Sequence, residues 1–157
     1  MNIELIVVGK TEEKWLQEGI SQYNSRLGHY VNFKTDVIPS LKNVKNLSAH
    51  LLKQKEGEQL LSRINNTDYV VVLDEKGKQF TSVEFASSIQ SYMNAGHKRV
   101  VFIVGGAFGF SDEVYARANA KISLSKMTFS HQMIRLFFVE QLYRAMTILK
   151  GEKYHHE

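Results

Sequence analysis

The sequence predicts an α/β fold with a mostly parallel sheet flanked by helices, and three observations support this prediction. Short apolar runs alternate with segments of helical periodicity along the whole chain. Two of the runs, residues 69–74 and 99–106, are rich in β-branched residues, as is typical of parallel strands buried on both faces. No linker or repeat divides the 157 residues, and the single proline is Pro39. One domain over residues 1–157 is therefore expected.

The first half of the chain contains two predicted strands and two predicted helices. IELIVVG (3–9) is a short apolar run closed by glycine and predicts a first strand rather than a signal peptide. Helical spacing follows from Glu12 until Gly28. Residues 31–39 alternate roughly by two, which predicts a more exposed or edge strand. A long polar helix is expected over residues 47–64.

The second half repeats the alternation more tightly. After the buried run at 69–74, residues 82–96 predict a helix stopped by glycine, and residues 99–106 predict a second buried strand. A short helix near residues 112–119 leads into KISLS (121–125), which is expected to be a third buried strand.

The last predicted helix, from about Ser130 to Lys150, has apolar residues around its whole circumference. A helix that packs only on a sheet keeps a polar stripe, so this one is expected to be covered on a second side. A homodimer interface would provide that cover in so short a chain. The alternative is a central helix enclosed by its own domain.

The composition excludes several classes of protein. No apolar run approaches the ~20 residues that cross a bilayer, so no membrane association is expected. The absence of cysteine excludes disulfides and thiolate metal sites and makes a cytoplasmic location the default. The formal charge of +4 is compatible with a nucleic-acid partner without requiring one.

Three loops follow the buried strands and are expected to meet at one edge of the sheet, where open parallel sheets bind ligands. They are DEKGKQ after Leu73, the glycine-rich GGAFGF after Val104, and SKMTFSH after Leu124. Each loop alone could be an ordinary turn, but together they favour a ligand site. The usual dinucleotide and Walker patterns are broken, the first at Ala107 and Phe110. His155-His156 without a third ligand does not predict a metal site.

Polar groups also collect at the two ends of the last helix. His131 and Arg135, four residues apart, share one face of its first turn. They could form part of a site or merely a solvated turn capped by Ser130. The tail KGEKYHHE could be frayed, or Tyr154 could stack on a base beside lysines that meet phosphates.

The ordered set VVVLDEKGK, FIVGGAFGF, LSKMTFSHQMIRLFFVEQLYRA and terminal YHHE closely resembles the small SPOUT-class methyltransferases that modify N3 of a pseudouridine in large-subunit ribosomal RNA. The opening VGK and KEGEQLL (55–61) fit as well, so the resemblance spans nearly the whole chain. It implies a C-terminal trefoil knot, dimerisation through the knot, and S-adenosylmethionine as cofactor. It also implies an RNA partner, ribosomal RNA in the assembled ribosome.

By position in the resembling motifs, eight residues are expected to hold the cofactor, largely through backbone groups. They are Leu73, Gly105, Leu124, Ser125, Lys126, Met127, Thr128 and Phe129. Three residues, His155, Tyr154 and Arg135, are the candidates for positioning the acceptor and handling its proton. In a dimer the tail could serve the partner's cofactor site.

The sequence departs from the family pattern at Phe108, Ser130 and His156, where family members often carry a polar or acidic residue, a proline and a basic residue. The first departure concerns the mouth of the cofactor pocket and the third a possible phosphate contact. Two other functions remain open from the sequence. A nucleotide-dependent oxidoreductase would use a similar sheet, and a non-catalytic ribosome-binding protein would need only the basic surface.

Overall fold

A computed structural model of the chain describes residues 1–156. Its five strands form one parallel sheet in the order β2-β1-β4-β3-β5. This architecture confirms the α/β class. The strands are β1 (Asn2–Val8), β2 (Asn32–Ile38), β3 (Tyr69–Gln79), β4 (Arg99–Val104) and β5 (Ala120–Ser123). The helices are α1 (Lys14–Leu27), α2 (Ala49–Ser62), α3 (Ser82–Asn94), α4 (Asp112–Arg117) and α5 (Met133–Leu149).

The edges of the sheet follow the apolar patterns of the strands. β2 is an edge strand, as its alternation predicts. β5 was expected to be fully buried, and this is wrong: it forms the opposite edge, and Lys121 is exposed. The sequence KISLS alternates apolar and polar residues, which is the pattern of a half-buried strand. β1, β3 and β4 occupy the centre.

Two apolar cores lie on opposite faces of the sheet because successive strand residues point to opposite sides. In β1, Ile3 and Leu5 alternate with Ile6: the first two join the core that includes α3 and α5, and Ile6 joins the core under α2 and α4. Phe102 of β4 is fully buried between Phe85 and Phe138. Burying one such side chain contributes about 2 kcal/mol.

β3 continues past the point where the sequence predicts a loop. Residues 74–79 were expected to be irregular, yet β3 extends to Gln79 and pairs with Ile122 twice, through Leu73 and again through Lys78. Gly77 passes so close to β5 that a Cβ there would lie 2.6 Å from the carbonyl carbon of Ile122. Only glycine fits this crossing. The trefoil knot is consistent with this close crossing of β3 and β5, but the knot itself stays a prediction.

α5 is largely enclosed by its own domain. It packs between α1 and α3 on one face of the sheet, and Phe138, Val139 and Leu142 are fully buried. The central-helix alternative therefore explains most of its apolar residues. Phe137 is 38% exposed and stacks on Phe129 with ring centroids 4.6 Å apart. The homodimer stays a prediction.

The amino ends of the strands are closed by the amino-edge cluster, which consists of Glu4, Asp68 and Arg99. The guanidinium donates to Glu4 Oε2 from Nε at 2.9 Å and from Nη2 at 2.6 Å, and Nη1 donates to Asp68. Glu4 and Asp68 are only 3% and 6% exposed. Burial opposes the charged guanidinium, but its hydrogen bonds and charge contacts with Glu4 and Asp68 outweigh burial and raise the pKa of Arg99.

Candidate functional site

A cavity of about 640 Å³ opens at the carboxyl edge of the sheet, beyond the ends of β3, β4 and β5. The three loops expected to meet do meet here. The volume lies within the range of small-molecule and cofactor pockets. Seven of the eight predicted cofactor residues line the cavity: Leu73, Gly105, Leu124, Ser125, Met127, Thr128 and Phe129.

The eighth predicted residue, Lys126, is exposed and lies outside the cavity lining. It sits in a turn that the Met127 N–H closes by donating to Ser125 Oγ at 2.9 Å. Ser123 Oγ in turn donates to the Ser125 carbonyl at 2.7 Å. Ser123 and Ser125 thus shape the backbone of residues 124–129. We call residues 124–129 the cradle.

The glycine loop, residues 105–109, forms the opposite wall. The Gly109 N–H donates to the Gly106 carbonyl at 3.2 Å, and Gly109 has a φ of +85°, which favours glycine. At Gly105 a Cβ would lie 3.0 Å from the Phe110 ring, so a side chain there would press on a buried aromatic residue. This tight turn places Phe108 at its tip, 56% exposed.

Helix α2 fixes the base of the glycine loop. A Cβ at Gly106 would lie 2.7 Å from Glu56 Oε1, so the carboxyl group fits closely against the loop backbone. The next residue, Gly57, approaches Ser111 so closely that a Cβ would lie 2.3 Å from its Oγ. Burial raises the pKa of Glu56, and interaction with the Gly106 backbone partly opposes the shift.

Two carboxylates line the cavity that the sequence analysis did not assign. Glu75 Oε2 accepts a hydrogen bond from Thr128 Oγ1 at 2.6 Å and so joins the β3 segment to the cradle. Asp74 accepts from the Tyr115 hydroxyl, and burial together with Asp74 raises the pKa of Tyr115. Both residues are visible in DEKGKQ, but a run of polar residues does not show which of its side chains face a cavity. Anionic groups beside apolar walls suit a ligand that carries both a positive charge and an apolar ring.

Arg135 does not line the cavity, and the alternative of a solvated turn is wrong for this residue. Its side chain is buried and holds the end of β1: Nη1 donates to the Gly9 carbonyl at 2.7 Å and Nη2 to the Val8 carbonyl at 2.9 Å. Burial lowers its pKa. α5 begins at Met133 rather than at Ser130, although Ser130 Oγ accepts from the Met133 N–H at 3.0 Å. His131 does line the cavity.

The tail, residues 150–156, folds back on α5 instead of fraying. The Tyr154 hydroxyl donates to Glu140 Oε1 at 2.9 Å and lies 3.2 Å from the Tyr23 hydroxyl. The Tyr154 ring packs edge-on against Tyr143. Burial, together with the hydrogen bonds to Tyr23 and Glu140, raises the pKa of the Tyr154 phenol.

His155 is held by Arg144, with Nδ1 of the imidazole 3.2 Å from Nη1 of the guanidinium. A guanidinium can only donate, so Nδ1 is the acceptor and the ring proton of the neutral imidazole is on Nε2. Ile134 lines the cavity, and Arg144 lies ten residues further along α5, about 15 Å away. Within one chain, the tail and the cavity are therefore separate.

Within residues 1–156, no group of three or more histidine or acidic side chains is arranged to hold a metal ion. In the same part of the chain, no helix combines the length and apolar character needed to span a membrane.

Comparisons with known proteins agree with this architecture. The family model described as "Predicted SPOUT methyltransferase" matches residues 1–155. The chain is 58% identical over 156 residues to the ribosomal RNA large subunit methyltransferase H of Christiangramia forsetii, which covers 99% of each chain. It is 57% identical over 157 residues to the protein of the same name from Parabacteroides distasonis, and 56% identical to that from Flavobacterium psychrophilum, with 100% of each chain covered. The chain therefore belongs to the SPOUT methyltransferase family.

Proposed function

We propose that the protein transfers a methyl group from S-adenosylmethionine to N3 of a pseudouridine in large-subunit ribosomal RNA, acting on the assembled ribosome in the cytoplasm. The observation that carries this proposal is the cavity at the carboxyl edge, which seven of the eight predicted cofactor residues line. The names of the full-length relatives support ribosomal RNA as the substrate.

The cavity residues fit the proposed cofactor by their chemistry. Backbone groups of the cradle and the glycine loop would pair with adenine and ribose, while Leu124 and Phe129 would enclose the ring. Glu75 and Asp74 offer negative charge to the cationic end. When bound, the cofactor supplies a methyl group that is already activated. The protein's task is then to orient the acceptor nitrogen, which can contribute about 7–11 kcal/mol to lowering the barrier.

We assign the groups that position the acceptor base to the C-terminal tail of the partner protomer in a homodimer. Tyr154 and His155 are held at Glu140 and Arg144 and do not line the cavity of their own chain, so a homodimer that sets one tail beside the partner's cavity would bring both groups to the acceptor. The Nε2–H of His155 would then donate to a carbonyl of the base. Because Nδ1 already accepts from Arg144, this tautomer has no free nitrogen for the N3 proton, which would pass to solvent. Arg135 acts indirectly, by fixing the end of β1.

A change of His155 to alanine separates a positioning role from a proton-transfer role. Loss of a proton-transfer group is expected to lower kcat about 10²- to 10⁴-fold, with little change in the KM for ribosomes. An unchanged kcat with weaker ribosome binding would make His155 a binding residue. Kinetics over a range of ribosome concentrations distinguish the two, and His29→Ala, at an exposed histidine outside the tail, is the matched control.

The proposal is tested with methyl-labelled S-adenosylmethionine and ribosomes that lack the modification. Label is mapped by nucleoside mass spectrometry, with protein-free ribosomal RNA treated in parallel. We expect methyl on a pseudouridine, and only with ribosomes. Transfer to protein-free RNA would contradict the ribosome requirement. Cofactor binding without transfer would contradict the proposed acceptor, and no cofactor binding at all would favour a non-catalytic ribosome-binding protein.

A further inference from the structure

The strongest unexplained feature beside the cavity is Phe108, an aromatic side chain that is 56% exposed at the tip of the glycine loop. Exposure alone carries no functional meaning, because Trp15 on α1 is 57% exposed and does not line the cavity. Phe108 differs because it also lines the large cavity at its mouth. Its ring has one side toward the cavity and a large part in solvent.

The loop that carries Phe108 is held in a defined conformation. Gly106 and Gly109 form an antiparallel bridge, so the two residues between them make a tight turn. Below the turn, Gly105 lies on the Phe110 ring and Gly106 lies against Glu56. The position of the aromatic tip is thereby set by backbone contacts on both flanks. A loop whose backbone conformation is already fixed loses less conformational freedom on binding a ligand than a mobile loop does.

The surroundings of Phe108 favour a nucleotide over a purely apolar partner. Lys76 is exposed and lines the same cavity, and Lys126 is exposed in the cradle on the other side. Met127 in the cradle is 76% exposed, which gives the mouth a second apolar wall. An aromatic side chain on the glycine loop, with exposed lysines on the β3 segment and the cradle, matches the parts of a nucleotide, because a base can stack and lysines can meet phosphates.

We propose that Phe108 is a positioning residue that stacks on the target nucleobase at the mouth of the cavity. This inference rests on the proposed function, because it names the group that receives the base in that site. A base must leave its stack before an enzyme can reach a ring nitrogen, and an aromatic side chain replaces the lost stacking. The ring thereby holds the base over the cavity without forming part of the cofactor cradle.

The test compares three substitutions at position 108 by steady-state methyl transfer to ribosomes. Phe108→Ala removes the stacking surface and is expected to raise the KM for ribosomes roughly 10- to 100-fold, with kcat changed by less than about threefold. Phe108→Tyr keeps the ring and should restore most of the apparent affinity. Phe108→Leu keeps apolar bulk without a ring and should stay close to the alanine variant. Trp15→Leu, at an equally exposed aromatic residue, is the control.

Affinity for S-adenosylhomocysteine, measured by calorimetry, separates base stacking from a role in the cofactor site. We expect all three variants to bind it within about twofold of the wild type. An unchanged KM in Phe108→Ala, full rescue by leucine, or a parallel loss of S-adenosylhomocysteine affinity would each overturn the inference. The wild type is measured first: an inactive wild type would defeat the proposed function and this inference together, whereas an active wild type with an unaffected alanine variant would defeat only the inference.

Discussion

The two ends of the parallel sheet differ in how their polar groups are satisfied. At the amino ends, Glu4 and Asp68 are nearly inaccessible and both pair with Arg99. At the carboxyl ends, glycine backbone, the carboxylates of Asp74 and Glu75 and the exposed ring of Phe108 surround an open cavity. The same strands thus end in a closed ion-pair cluster on one side and in a ligand-sized space on the other.

The difference indicates that the amino ends of the strands contribute mainly to stability and the carboxyl ends mainly to ligand binding. Charges at the amino edge find partners inside the protein, so their loss should affect folding and leave ligand binding intact. The lining of the carboxyl edge retains polar groups and apolar surface that a ligand can use. Substitutions at the amino edge should therefore lower the free energy of unfolding, and substitutions in the cavity lining at the carboxyl edge should change ligand affinity.

The largest effect on stability is expected from Arg99→Met. The substitution keeps a long apolar side chain but leaves the Glu4 and Asp68 carboxylates without their shared guanidinium. Loss of one partner of a buried ion pair typically costs about 3–5 kcal/mol. Chemical denaturation should show this loss. The variant protein that remains folded should bind S-adenosylhomocysteine with unchanged affinity.

Lys34→Met is the matched control for the amino edge, because Lys34 Nζ lies 3.8 Å from the same Glu4 carboxylate but its side chain is 73% exposed. An exposed pair of this kind contributes at most about 1 kcal/mol. Equal destabilisation by the two substitutions would contradict the assignment of the amino-edge cluster as the source of stability.

Gly77→Ala should have the next largest effect and should affect both stability and the site. Its Cβ would lie 2.6–2.7 Å from backbone atoms of β5, which cannot move aside as a side chain can. Forced overpacking costs about 1–3 kcal/mol, and displacement of β5 would carry the cradle with it. Thermal denaturation and S-adenosylhomocysteine titration measure the two consequences.

Gly28→Ala is the control for Gly77, because Gly28 has a φ of −59° and the nearest atom to a Cβ there lies 3.5 Å away. Alanine in this position should be neutral or slightly stabilising. If Gly77→Ala left stability and ligand affinity as unchanged as Gly28→Ala, the close crossing of β3 and β5 would be wrong.

The smallest effect is a pH dependence from Glu56. Burial raises the pKa of this carboxyl above its ordinary value of 4.5, so the folded state favours the protonated form. Its contribution to stability is present below that ordinary value and is lost as the pH rises through the raised pKa. Glutamine cannot ionise. The melting temperature of Glu56→Gln relative to wild type should therefore increase between about pH 4 and about pH 7.

Glu58→Gln, on the exposed side of the same helix, controls for the general effect of removing one negative charge. A pH profile of Glu56→Gln that runs parallel to that of Glu58→Gln would show that burial of Glu56 does not penalise its charged form.

The sequence was sufficient for the features that depend on local pattern. The buried runs of β3 and β4 and the glycines after β4 predicted a parallel sheet with a ligand site at its carboxyl edge, because burial on both faces leaves a continuous apolar run. The cradle was located because SKMTFSH resembles a family motif. Such a resemblance gives the positions of the residues in the chain but not the contacts that they make.

The features that depend on distant contacts were not predictable. DEKGKQ has the composition of a loop, and only pairing with β5, more than forty residues later, makes its end a strand. The contacts of Arg135 were not predictable because its partners, the carbonyls of Val8 and Gly9, lie more than 120 residues earlier in the chain. The tail likewise folds through contacts of Tyr154 with Tyr23, which periodicity cannot show.

The most direct test of the contrast between the two edges is amide hydrogen exchange with and without S-adenosylhomocysteine. We expect new protection in the glycine loop (105–109) and in the cradle (124–129), and no change in the strand residues beside Glu4, Asp68 and Arg99. Protection centred on the amino edge, or none at either edge at saturating ligand, would contradict the account that the carboxyl edge holds the cofactor.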